Sequence, residues 1–149
     1  MASTKLARIN YAVRTGAFAY CFVTIGVYLL ERGAGWAAGS LLAAQFLVYP
    51  HVVYWRAMLS PKPNRAERDN LYLDSALLGA WAAGLGFPLW ISYDIVGAAL
   101  LNTAINRGAA GMLWAALCAA AGAVLLQVHA DRDEAIGERA GADRVVDAR

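Results

Sequence analysis

Charged residues leave five gaps in this chain: residues 15–30, 33–55, 75–93, 95–106 and 108–130 contain no Asp, Glu, Lys or Arg. A helix that crosses a bilayer needs roughly 20 mostly apolar residues at 1.5 Å rise. The first, second, third and fifth gaps meet that length, the first on condition that Arg14 snorkels its head group to the interface. The fourth is marginal, flanked or interrupted by Ser92, Asp94, Asn102 and Asn106. A water-soluble bundle of similar apolar content would keep a polar face at 3.6-residue spacing on each helix; these runs are apolar around the whole circumference. The pattern predicts an all-α fold, a polytopic integral membrane helical bundle of about five transmembrane helices. Residues 1–130 are the membrane domain and residues 131–149 a polar C-terminal tail, with at most a short helix around residues 133–138, interrupted by Gly137 and Gly141.

The few charges orient these segments. Lys5, Arg8 and Arg14 precede the first, and Arg56, Lys62, Arg65 and Arg68 fill the loop after the second. The first loop carries only Arg32, the turn at residues 88–94 carries no basic residue, and the next carries Arg107. Basic connections on alternate sides place the N-terminus and the second loop in the cytoplasm. Trp36, Tyr54, Trp55, Trp90 and Tyr93 fall near the expected helix ends, as an interfacial belt requires. The first segment has a basic leader, but its apolar run ends in Glu31-Arg32 without a small-residue cleavage pattern, so it reads as a retained helix and not a signal peptide. The expected location is the inner (cytoplasmic) membrane, crossed several times with the N-terminus on the cytoplasmic side.

Composition narrows the class further. Sixty per cent of the 149 residues are hydrophobic and 16% charged, far from the balance of soluble domains and incompatible with bulk disorder. A net charge of +2 gives no footprint for nucleic acid. Cys21 and Cys118 lie in apolar stretches and read as small buried hydrophobes. No metal site is expected, because His51 and His129 belong to different ends of the bundle. No nucleophile–base set, phosphate-binding glycine loop or catalytic carboxylate pair is legible, so neither an enzyme nor a cofactor is expected.

Polar residues inside or beside the spans carry the functional information. Asn64 followed by Glu67 has capping-box spacing and marks a helix start after Pro63; Arg65 and Asp69 are then i, i+4 neighbours. His51 lies one turn before Trp55, and Asp74 one turn after Asn70. In antiparallel neighbouring helices both sit ~6 Å inside the boundary at 1.5 Å per residue, where charged groups usually find partners. A His51–Asp74 contact is expected on that ground. It acts either as a structural pin or as a pH-responsive or ligand-binding pocket. Pro50 loosens the backbone beside it. Asp94, Asn102 and Asn106 line one side of the fourth segment and either face a polar cavity or satisfy one another. Ala80 with Gly84, and the ladder Gly111, Ala115, Ala119, Ala123, are close-packing faces, for intramolecular contacts in preference to dimerisation.

The string Tyr49-Pro50-His51, then Arg65-Ala66-Glu67-Arg68-Asp69-Asn70-Leu71 and Asp74-Ser75-Ala76, resembles the second type of MASE domain. These are membrane-associated sensor domains found before bacterial GGDEF diguanylate cyclases and class III adenylate cyclases. The resemblance is densest over residues 49–86 and weaker over the remaining hydrophobic pattern. It implies a sensory module that controls a cyclic-nucleotide cyclase, with His51, Arg65, Glu67, Arg68, Asn70, Asp74 and Ser75 as motif positions forming an inner-face polar network. The family pattern continues into a further helix and an output domain, whereas here a hydrophilic tail follows Val128; the expectation is a sensor without its own catalytic domain. Its partners are then the lipid bilayer and either a second copy or a cyclase-bearing protein, with an unknown small ligand left open. Two other readings stand beside this one. One is a small transporter or channel-like protein with a path lined by Asp74, Asp94, Asn102 and Asn106, and the other a simple membrane anchor.

Overall fold

The computed structural model describes the backbone of residues 2–147 and the side chains of residues 8–136. Every regular element among them is helical: α1 (Ala2–Glu31), α2 (Trp36–Ala43), a π-helical turn (Ala44–Val48), α3 (Tyr49–Leu59), α4 (Pro63–Gly84) and α5 (Leu89–Asp147). The π turn joins α2 and α3 into one rod, and its position follows from Pro50. Proline offers no N–H and its ring crowds the carbonyl four residues back, so the preceding turn widens.

Glycines set the two sharp turns. After α1, Gly33 adopts φ 65, with Gly33 N–H donating to the Leu30 carbonyl and Ala34 N–H to that of Leu29. After α4, Gly86 adopts φ 76, with Gly86 N–H on Ala83 and Phe87 N–H on Ala82. Both are Schellman closures, in which a left-handed residue lets the last carbonyls find donors. Pro88 then bars any return to the α4 helix. The third apolar segment therefore ends at Gly84, short of residue 93, because the Gly86-Phe87-Pro88 turn falls inside it.

Two compact units make up the chain, Met1–Leu71 and Tyr72–Arg149. In the first, α1 buries Arg14, Phe18, Cys21 and Ile25, a 4-3-4 spacing that keeps one stripe facing inward. That stripe belongs to the unit in which α1 packs on α2, the π turn and α3, whose own buried stripe is Leu42, Phe46, Pro50, Val53 and Ala57. Phe18 meets Phe46 and Tyr49 with ring centroids 5.3 and 6.0 Å apart. Lipid tails are as apolar as these side chains, so the seam is held by close packing and polar contacts more than by exclusion from water.

In the second unit the inner stripe of α5 is Gly111, Ala115, Ala119 and Ala123, and the ladder expected to pack does pack. Its closest approach to α4 is at Gly79, and Gly84 also faces it, with a Cβ position 3.2 Å from the Leu126 side chain. A Cβ on Gly79 would collide with the Ala119 backbone, and one on Gly122 with the Ala76 backbone. The two helices thus touch main chain to main chain.

Among the described residues, three stretches are long and apolar enough to cross a membrane: Arg8–Glu31, Trp36–Leu59 and Leu89–Ile136. Helix α4 is long, but its first half is studded with charge. The last stretch is interrupted at Gly108, whose φ 69 and ψ −170 are non-helical. Its arm before Gly108 begins at Leu89, earlier than the marginal fourth segment. Beyond Val128 the helix does not stop: α5 continues through Gly137 and Gly141 to Asp147, where the sequence had suggested an interrupted tail.

Candidate functional site

The most polar point of the first unit is buried. Arg14 of α1 is 4% exposed and Glu67 of α4 is 4% exposed; Arg14 Nη2 lies 2.9 Å from Glu67 Oε1. Arg14 therefore does not send its head group outward as expected. A carboxylate one helix away offers a charged partner without the entropy of an extended, solvated chain. Glu67 in turn does not cap α4. The helix opens on Pro63, a residue suited to the first helical position. The Lys62 carbonyl receives the Arg65 and Ala66 N–H groups at 3.0 and 3.1 Å. Glu67, released from capping, points inward.

Asn70 lies one turn further along α4, fully buried. Its Nδ2 donates to the Val53 carbonyl of α3 at 3.2 Å and to Glu67 Oε2 at 3.4 Å. Arg14, Glu67, Asn70 and the Val53 carbonyl thus form a chain of polar contacts through α1, α4 and α3. Of the sequence candidates, Glu67 and Asn70 are brought together here; Arg14 was missed, because its partner is 53 positions away.

His51 is exposed on α3, and its Nδ1 is 2.8 Å from the Tyr11 hydroxyl of α1. The Tyr11 ring also packs against Tyr54, tilted by 32° with centroids 4.3 Å apart. Tyr11 carried no sequence signal beyond being an aromatic residue near a helix end. Arg65 and Arg68 are exposed on the outer face of α4, while Asp74 and Ser75 are buried at 6% and 0%. In α5, Asn106 Nδ2 donates to the Asn102 carbonyl at 2.9 Å and to its Oδ1 at 3.1 Å, so these two satisfy one another. Asp94 stands apart from that pair: one carboxylate oxygen is buried without a hydrogen-bond partner among the described residues. No group of three or more His, Cys, Asp or Glu side chains among the described residues is placed to hold a metal ion.

A helical membrane domain whose first helices are tied by a buried Arg–Glu–Asn chain belongs to the class of integral membrane modules. Its family is narrower still. The family model described as the MASE2 domain matches residues 9–97, and the chain belongs to that family of membrane-associated sensory domains. The match takes in Arg14, His51, Glu67, Asn70, Asp74 and Asp94, and ends within the first arm of α5. No curated protein and no solved structure matches the chain.

Proposed function

We propose that this domain is the membrane sensory and regulatory part of a bacterial second-messenger system. It passes its state to a diguanylate or adenylate cyclase output by rearranging helices. The observation that carries the reading is the clustering of family-motif residues Glu67 and Asn70 with Arg14 in a buried polar chain. Removing one member of such a buried chain leaves another charged or polar group uncompensated, which is strongly destabilising. The polar chain therefore holds α1, α3 and α4 in one arrangement and makes any second arrangement a discrete alternative, as a switch requires.

In this reading the domain lies in the inner membrane with its N-terminus in the cytoplasm and spans five times, α4 and both arms of α5 included. The arm preceding Gly108 supports the count. Taken from Leu89, it is ~28 Å long at 1.5 Å per residue, close to the ~30 Å hydrocarbon thickness. The motif positions His51, Arg65, Glu67, Arg68, Asn70, Asp74 and Ser75 then belong to the cytoplasmic side, where an output domain would read them.

Affinity purification of the full chain from bacterial membranes tests the functional claim. A cyclase-bearing protein should co-purify, and the cellular cyclic nucleotide level should change when Asn70→Leu is introduced. Solute flux through reconstituted vesicles, abolished by Asp74→Asn with cyclic nucleotides unmoved, would replace this reading with transport. Reporter fusions after Val128 test the topology: a fusion on the same side as the N-terminus contradicts five spans.

A further inference from the structure

Outside the buried network, the connection between α3 and α4 gathers positive charge around an open cleft. Arg56 at the end of α3, Lys62 in the turn and Arg65 on the first turn of α4 line a cavity of about 300 Å³, with Asp69 as its one carboxylate. A second hollow of about 390 Å³ shares Lys62 and Arg65 and adds Asn64 and Arg68. Four cations thus face one carboxylate. The turn between them is organised, since Ser60 N–H donates to the Ala57 carbonyl at 3.3 Å and Lys62 N–H to Ser60 Oγ at 3.2 Å. Lys62 and the two arginines supply charge-assisted donors of the kind that phosphate oxygens accept.

What lies beside the cleft selects among phosphate-bearing ligands. Val52, Trp55 and Leu59 are 57, 64 and 78% exposed. At positions i, i+3 and i+7 of α3 they form one stripe, and Arg56 sits at i+4 on that same face. A free phosphate or a soluble nucleotide would use the cations and leave this stripe uncovered. A phospholipid uses both, with its phosphate between Arg56, Lys62 and Arg65 and an acyl chain along Val52, Trp55 and Leu59. Trp55 stands where the two parts meet, the depth an interfacial tryptophan occupies.

We propose that the α3–α4 connection is a binding site for one anionic phospholipid, recognised by its phosphate and its net negative head group. Cations close to an anionic membrane surface each add about 1 kcal/mol of attraction, about fivefold in affinity at 1.4 kcal/mol per tenfold. Asp69 opposes that preference.

The test is native mass spectrometry of the full chain in detergent micelles, with equimolar phosphatidylglycerol and phosphatidylcholine of identical acyl chains. The wild-type protein should retain one phosphatidylglycerol in preference to phosphatidylcholine by roughly tenfold or more. Arg56→Gln/Lys62→Gln/Arg65→Gln should bring the ratio close to one, while Arg32→Gln, an exposed cation on another loop, should leave it unchanged. Asp69→Asn should raise the ratio, which keeps the test decisive if the triple variant does not fold. Equal retention of both lipids by the wild-type protein overturns the proposal, as does a ratio that ignores the triple substitution or falls with Asp69→Asn. Displacement of phosphatidylglycerol by an excess of inorganic phosphate overturns the lipid assignment in favour of a free-anion site. None of these outcomes depends on which output the sensory domain serves.

Discussion

Substituting Arg14 by Met is the sharpest perturbation of the buried network. At 2.9 Å, an Arg–Glu pair attracts by about 6 kcal/mol at an effective dielectric of about 20. Side-chain exposures of 3 and 6% mean that screening by solvent removes little of this. Desolvating the two ions costs several kcal/mol each, so the intact pair adds little net stability. Breaking it is another matter, because among the described residues Glu67 would keep the long 3.4 Å contact from Asn70 for a buried carboxylate. Arg14→Met should therefore cost about 3–5 kcal/mol. Arg14→Met combined with Glu67→Gln removes both charges and should recover most of that loss. Reversible unfolding in mixed detergent micelles, followed by circular dichroism, gives both numbers and their coupling. A single variant within about 1 kcal/mol of wild type, or a double variant as unstable as the single, would refute the buried-pair account.

Three further outcomes follow from the packing. Gly79→Ala and Gly122→Ala should each lower stability by about 1–3 kcal/mol or more in the same assay, since each new methyl meets backbone that has no rotamer to change. Gly16→Ala, with nothing within 4 Å of its Cβ position, should be neutral or stabilise by up to about 1 kcal/mol. Asn70→Leu, which removes the bond to the Val53 carbonyl and leaves Glu67 with one fewer donor, should cost about 1–3 kcal/mol and speed hydrogen exchange in α3. An equally slow exchange profile would mean that Asn70 does not tie α4 to α3.

Class, helical content and family were readable from residue order, because they rest on local patterns: uncharged runs, basic loops and the motif around Arg65 to Ser75. Pro50 announced its own effect on the helix, although not that the response would be a π turn. What escaped the sequence is pairwise and non-local. Arg14 looks like any basic residue at the mouth of a span until Glu67 is placed opposite it. The Asn64–Glu67 spacing fits a capping box well, and tertiary contact overrides it. Gly79 is one glycine among many in apolar helix, and only the approach of Ala119 shows why it cannot carry a side chain. Conversely, Gly86-Phe87-Pro88 was a legible turn signal that the length of the uncharged run concealed. The inner-face role proposed for His51, Arg68, Asp74 and Ser75 rests on the family resemblance, since an output partner leaves no periodicity or spacing in these residues.

The second arm of α5 also has a mechanical consequence. From Gly108 to Ile136 the helix has no joint, and at 1.5 Å per residue that is ~42 Å of rod against ~30 Å of hydrocarbon. In the proposed five-span arrangement an upright rod of that length leaves about 12 Å clear of the bilayer's apolar core, at the end that carries Asp131, Asp133 and Glu134. Gly108 is the non-helical joint of α5, so a rotation about it would carry the segment packed at Gly79 and Gly122 and the charged end of the helix together. Spin labels at Leu113 and Ala130 should accordingly keep one fixed separation under conditions that loosen the crossing; a separation that varies would mean the rod bends and transmits nothing.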